Sequence, residues 1–221
     1  MVDVRQVWQN PIFGAIGARA YDAVLDRPRL ASPAARALWG CDTDRMYAAM
    51  DVVNQIPEDS SILDLPVGGG VTLRRLDPSR KVRYVAADIS DDQLVTARAV
   101  AERSGMTDVE YVRADVVELP FADGAFDLVV SFAGLHCMPD PGAAIVSLAR
   151  VLRPGGTLVG SCVIAGVAAR YDLQIRVLGA MRVFGPPSTA ENLLGWITEA
   201  GLHREDFHCN GSLAQFVAVK S

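Results

Sequence analysis

From Ser61 onward the apolar positions come in short unbroken blocks separated by stretches of helical spacing. "SILDL" and "VRYVAAD" are compact apolar runs of the kind that form buried strands. "VEYVRAD", "FDLVVSFAG" and "TLVGSCVI" repeat the pattern. Between them, "SDDQLVTARAVAERSG" and "PGAAIVSLARVL" carry apolar residues at helical intervals. The first has Ser90 as its predicted cap, acids in its first turn and Gly105 past its end; the second is stopped by "RPGG". A β-α-β rhythm of this kind predicts a parallel sheet with helices on both faces.

After about Ala169 the rhythm breaks. "RYDLQIRVLGAMRVFG" reads as an inserted amphipathic helix, and "STAENLLGWITEAG" as a helix capped by Ser188 or Thr189 with Glu191. "HREDFHC" and "LAQFVAVK" are two further strands joined at Asn210-Gly211, a strong hairpin signal. Before Ser61, "FGAIGARAYDAVLD" and "AARALWG" have helical spacing interrupted by Pro28 and Pro33, and "DTDRMYAAMDVVNQI" is a helix capped by Asp42 or Thr43. The predicted division is a helical N-terminal cap over 1–57 and a ligand-binding α/β domain over 58–221, with a helical insert around 166–186.

Composition narrows the function. Half of the 221 residues are hydrophobic and the net charge is -5, without a basic run, so an extended nucleic-acid surface is not expected. Cys41, Cys137, Cys162 and Cys209 form no C-x-x-C pair and have no His at metal-ligand spacing. They read as reduced thiols of a cytoplasmic protein, with no metal site. "MVDVRQVWQN" lacks a cationic start and an apolar core, which argues against a signal peptide. "TLVGSCVIAGVAA" is too short to span a membrane.

The chemistry concentrates where strands meet loops. Asp64, Asp88 and Asp115 each stand at the end of a predicted strand, and ligands of open α/β sheets sit beyond those ends. Gly68, Gly69 and Gly70 lie between the first strand and an expected helix, where bare backbone can approach a ligand and a helix start offers free N–H groups. A dinucleotide needs G-x-G-x-x-G, and neither frame here supplies it. The pattern present is acid-x-G-x-G-x-G with Pro66 at its first glycine position: Asp64, Pro66, Gly68, Gly70. Proline removes an N–H and favours extended geometry at Leu65, so the turn survives if that N–H is not needed.

The segments "ILDLPVGGG", "VAADIS", "ADVVELPFADGAFDLVVSFAGLH" and "LARVLRPGGTLVG", in that order and spacing, resemble class I S-adenosylmethionine-dependent methyltransferases. The similarity is greatest to the small-molecule type that includes the ubiquinone/menaquinone C-methyltransferases. It covers Ser61 to Gly160 closely and the terminal hairpin more loosely. The resemblance implies a Rossmann-like methyltransferase fold. That is a doubly wound, mostly parallel seven-stranded α/β sheet with a C-terminal antiparallel hairpin. It implies S-adenosylmethionine as cofactor, with Asp64 and the backbone at Gly68 holding its methionine end. Asp88 would accept from both ribose hydroxyls, Ile89 would pack on adenine, and Asp115 and the Val116 N–H would meet the adenine edge. The Phe132 backbone would line the sulfonium, and Tyr21, in a Tyr-Asp pair similar to one in the caps of related enzymes, would cover the cofactor.

Methyl transfer from a sulfonium is an in-line displacement in which alignment can supply roughly 7–11 kcal/mol. A base is needed only if the acceptor must lose a proton, and His136 in "SFAGLHCMPD" is the candidate. Its alternative is a structural loop histidine; His203 and His208 are read as structural. "SFAG" replaces the Asn/Asp-Pro-Pro-aromatic tetrapeptide common in methyltransferases of planar nitrogens, which argues further against nucleic acid. The expected acceptor is a hydrophobic or aromatic small molecule methylated on oxygen or carbon. Its pocket would be walled by Trp8, Phe13, Tyr21 and Trp39 and by the insert's Tyr171, Leu173, Ile175, Met181 and Phe184. Such a stripe also suits core packing or a homodimer contact. The alternatives are a non-catalytic protein that binds the same cofactor in regulation or assembly, and a dehydrogenase, which predicts nicotinamide binding.

Overall fold

The computed structural model describes residues 4–8 and 28–221. The strands are β1 (Ser61–Asp64), β2 (Arg83–Asp88), β3 (Val109–Arg113), β4 (Phe126–Ser131), β5 (Leu152–Val163), β6 (Leu202–Asn210) and β7 (Leu213–Lys220). They form one sheet in the order β3-β2-β1-β4-β5-β7-β6. β1 through β5 pair in parallel, and β7 runs antiparallel to both β5 and β6. This is the doubly wound sheet with a terminal hairpin expected from the sequence.

Helices α1 (Val4–Trp8), α2 (Pro28–Trp39), α3 (Asp44–Met50), α4 (Asp91–Arg103), α5 (Pro141–Val151), α6 (Ala169–Ala180) and α7 (Ala190–Glu199) surround it. Two apolar layers bury the two faces. One joins Leu63, Val129 and Leu158 of the sheet to Ile145 and Leu148 of α5 and Leu193 and Ile197 of α7. The other joins Ile62, Val130 and Val159 to Met46 and Met50 of α3, Ala97 and Ala101 of α4, and Ile175 of α6. Within each of these strands successive residues go to opposite layers, as the pleat requires.

Several local expectations are corrected. The helix predicted after the glycines is only a 3-10 turn, Leu73–Arg75. Residues 71–77 are bracketed by Gly70 and Pro78, and proline disfavours helical geometry at the preceding residue, so a longer helix has no room. The α7 cap is Thr189, as one of the two candidates, but its partner is Asn192 rather than Glu191: the Asn192 N–H donates to Thr189 Oγ1 at 3.2 Å, and Asn192 Oδ1 accepts from the Thr189 N–H at 3.0 Å. Ser90 holds the α4 N-cap position without a side-chain cap; its own N–H donates to Asp88 Oδ1 at 3.0 Å. The predicted cap over 1–57 contains α1, α2 and α3, while Phe13, Tyr21 and Asp22 lie outside the described residues.

Candidate active site

The sheet splits where its winding reverses, between β1 and β4. The Leu65 N–H still donates to Val130 O of β4 at 3.0 Å, but the Val67 N–H turns to Ala87 O of β2 at 2.8 Å. Pro66 between them has no N–H to give. Above this split lies a cavity of about 1130 Å³, counted to its open mouth. The ends of β1, β2, β3 and β4 floor it, as expected for a ligand site at a topological switch point.

Asp88 ends β2 and lines the cavity while being only 5% exposed. Its Oδ2 accepts from the Gly68 N–H and its Oδ1 from the Ser90 N–H, both at 3.0 Å. Burial pushes its carboxyl up to about 6, opposed by these backbone donors. Gly68 has φ +50°, and a Cβ built on it would meet nothing within 4 Å. Gly68 also lines the cavity, so that open space adjoins it. Gly70 differs: at φ +78° its Cβ would meet Ala97 and Val100 of α4 at 3.4 Å. Its missing side chain serves the packing of the loop on the helix, and Gly70 is outside the cavity lining.

Asp64 is 1% exposed and also outside the lining. Tyr84 Oη donates to its Oδ2 at 2.7 Å. Burial pushes its carboxyl up to about 7; the Tyr84 bond opposes this and the nearby Asp88 adds to it. Ile89, Asp115, Val116 and Phe132 line the cavity with Pro66. Asp115 is already engaged: Arg5 Nε of α1 lies 2.9 Å from Oδ2, and the Val117 N–H donates to Oδ1 at 3.2 Å. Pro66, whose bond to Leu65 is cis, packs on Gly134, where a Cβ would stand 2.3 Å from the proline ring.

His136 is 7% exposed and is absent from the lining. Its Nδ1 accepts from the Val163 N–H at 3.2 Å, and its ring meets Phe184 edge-on at 4.4 Å. Burial pushes its pKa down to about 3. Cys137 does line the cavity, and burial pushes its thiol up, so it stays protonated.

The cover keeps Trp8 of the expected wall but not Trp39 or the insert. Among the described residues it consists of Arg5 and Trp8 of α1 and Met46 and Met50 of α3, with Val71, Thr72 and Met138 beside them. Trp8 Nε1–H donates to Val183 O at 3.1 Å, pinning α1 across the mouth. None of the insert residues named from the sequence lines the cavity. Tyr171, Ile175 and Phe184 are buried, whereas Leu173 and Met181 of that segment are exposed. Trp39 stacks on Phe184 at 5.8 Å. Arg5, Met46, Met50 and Gln93 were not singled out by sequence, because nothing in a short amphipathic helix marks which residue will overhang a distant strand end.

The lining therefore combines polar groups, Asp88, Asp115 and bare backbone, with apolar side chains of Trp8, Met46, Met50 and Met138. Two carboxylates in one lining suit a ligand with several hydroxyl or amine donors. The cradle at Gly68 fits the close backbone approach of an adenosyl sulfonium, and the residues expected to hold S-adenosylmethionine line the cavity, apart from Asp64 and Gly70 beside it and Tyr21 outside the described residues. Among the described residues no cluster of three His, Cys, Asp or Glu is placed to hold a metal, and no described helix is long and apolar enough to cross a membrane.

The family described as "Methyltransferase domain" matches residues 63–160, which run from β1 to β5 and include the cavity floor. The chain is 42% identical over 101 residues to a demethylmenaquinone methyltransferase of Thermus thermophilus, covering 44% of each chain. It is 38% identical over 98 residues to the 27-O-demethylrifamycin SV methyltransferase of Amycolatopsis mediterranei, covering 44% of this chain and 36% of that one. A solved structure from Bacillus halodurans, named provisionally as a methyltransferase, superposes with a TM-score of 0.65 at 28% identity, covering 74% of this chain and 71% of that one. The chain spans between 31% and 52% of the length of such curated relatives.

Proposed function

We propose that this chain, which carries a methyltransferase domain over residues 63–160, is an S-adenosylmethionine-dependent methyltransferase acting on an oxygen or carbon of a hydrophobic or aromatic small molecule. The observation that carries this reading is the cavity itself. A buried Asp88 carboxylate and an open glycine cradle line it together with an apolar wall that includes Trp8, Met46, Met50 and Met138. Its relatives named for quinone and rifamycin substrates support a small-molecule acceptor.

When bound, the cofactor supplies a methyl group already activated by a positive sulfur. The chain then has to bind, align and exclude water. Asp88 would accept from vicinal ribose hydroxyls, a charge-assisted interaction strengthened by low exposure. Gly68 lets the loop approach without a side chain, while its N–H fixes the Asp88 carboxylate in place. Ile89 would pack on a planar base and the Val116 N–H would meet its edge, while Asp115 would share its carboxylate between Arg5 and that base's amino group. Asp64 acts from outside the lining, holding the β1 end through Tyr84. Trp8 and α3 cover the cavity, and alignment of donor and acceptor there would make the largest contribution to rate.

In this reading His136 holds the loop between β4 and α5 and takes no proton from the acceptor. A ring that accepts from a backbone N–H, is buried among apolar neighbours and stands outside the lining is poorly placed for proton abstraction. The acceptor is then one that reacts without help from that imidazole, such as an ionised phenol or an enol-type carbon.

The test is methyl transfer from methyl-labelled cofactor to a panel of phenols, quinols and macrolide-like alcohols. Label appearing in any of them, and lost on Asp88→Ala, supports catalysis. Tight cofactor binding with no transfer to any member would favour the non-catalytic alternative instead.

A further inference from the structure

The chain leaves β4 by an unusual route. Ala133 has φ +53°, a left-handed conformation that residues with a Cβ avoid. Its N–H donates to Ser161 Oγ at 3.0 Å. Ser161 lies on β5, one register step beyond the paired Ser131 and Gly160, and is fully buried. The bond therefore crosses from the end of β4 to the strand on its far side from β1.

The Phe132–Ala133 peptide is not among the cis bonds of the chain, so its N–H and C=O point in opposite directions. With the N–H fixed toward β5, the Phe132 carbonyl faces the β1 side. Two residues earlier, Val130 O faces the same way and is taken by the Leu65 N–H. At Phe132 the ladder has opened: Pro66 has no N–H, and the Val67 N–H has turned to β2. Phe132, Ala133, Leu65, Pro66 and Val67 all line the cavity at this split.

We propose that Ser161 is a positioning residue: by holding the Ala133 N–H on the β5 side, it aims the Phe132 carbonyl into the cleft between β1 and β4, against the positive sulfur centre of the cofactor. The inference rests on the S-adenosylmethionine reading above. The carbonyl dipole attracts a cation and gains little from a neutral thioether. Without Ser161 Oγ the half-buried Ala133 N–H must seek another acceptor, which turns the peptide and takes the carbonyl away. Serine suits the position because its short side chain reaches a neighbouring strand end while its backbone stays in the β5–β7 ladder.

The test is calorimetric titration of the wild type, Ser161→Ala and Ser161→Thr with S-adenosylmethionine and separately with its demethylated product, which lacks the sulfonium charge. Ser161→Ala is expected to weaken the sulfonium compound about fivefold and the product less than about twofold, the size of one lost hydrogen bond. Ser161→Thr, which keeps the hydroxyl, is expected to retain the wild-type ratio. If Ser161→Ala fails to fold, Ser161→Cys, with its weaker acceptor, is read instead for a shift in the same direction. Both ligands weakened equally, or a ratio unmoved in the folded variant, would overturn the role of Ser161 alone. A wild type that binds neither compound would remove the cofactor reading beneath it.

Discussion

The floor and the cover of the cavity are built by different means. The floor is made of strand tips: Asp88 terminates β2, and Gly68 follows β1 by a few residues, so the ladders of a seven-stranded sheet fix their positions. The cover is made of short helices laid across the mouth. α1 is held through Arg5 to Asp115 and through Trp8 to Val183, and α3 is held by packing of Met46 and Met50. The floor is set by backbone pairing and the cover by a few side-chain contacts. A site divided this way can keep its cofactor-binding floor constant while its cover, and with it the acceptor, changes freely.

The largest expected effect lies at the strand tips. Asp88→Ala removes a buried acceptor of charged hydrogen bonds and should weaken S-adenosylmethionine by about 100-fold in calorimetry. Comparable loss from Trp8→Ala would erase the distinction between floor and cover. The same carboxylate makes binding pH-dependent: with Asp88 pushed up to about 6, cofactor affinity should fall as pH drops through that value and level off above pH ~7.

Next comes Gly134→Ala, whose new Cβ would meet the Pro66 ring at 2.3 Å. It should cost about 1–3 kcal/mol of stability, read by denaturant unfolding, and Pro66→Gly in the same chain should recover part of that loss. Additive losses would show that the two positions do not press on each other. The glycine pair is a finer test. Gly70→Ala should lose about 1 kcal/mol of stability with cofactor affinity nearly unchanged, because its Cβ would face α4. Gly68→Ala should also cost affinity, about tenfold, because its Cβ would stand in the cavity. Equal behaviour of the two variants would mean that the loop presents both glycines in the same way.

The smallest effect concerns Asp64. Burial pushes its folded pKa up to about 7, above the unfolded value near ~4. Its contribution to stability is thus present at low pH and is lost as pH rises from about 4 through 7. Asp64→Asn should raise the melting temperature relative to wild type at pH ~8, with the gap closing toward pH ~5. A gap independent of pH would show that the carboxyl does not titrate in that window.

The sheet was legible from the chain because buried parallel strands announce themselves as apolar runs, and Asp64 and Asp88 stand at their ends without needing any distant partner. The Asn210-Gly211 hairpin was legible for the same local reason. The missing helix after Gly70 was not, since the glycine cluster points to a helix start and only Pro78 limits its length. Thr189 could be named as a cap, while its choice of Asn192 over Glu191 depends on side-chain reach at the first turn. The cover was least legible. Tyr171 and Ile175 have the spacing of a pocket wall but turn into the core, and Met46 and Met50 reach the mouth only because α3 is docked on β5 and its neighbours. Ser161 is invisible in sequence, because one serine within an apolar strand gives no hint that it holds a backbone N–H from the next strand.

The most direct measurement is titration of the folded wild-type chain with S-adenosylmethionine, with Asp88→Ala as its pair. The strand-tip site predicts saturable one-to-one binding in the micromolar range and a matching rise in melting temperature, both lost in the variant. A folded wild type that shows neither heat nor a melting shift at millimolar cofactor, or a variant that binds as tightly as the wild type, would contradict it.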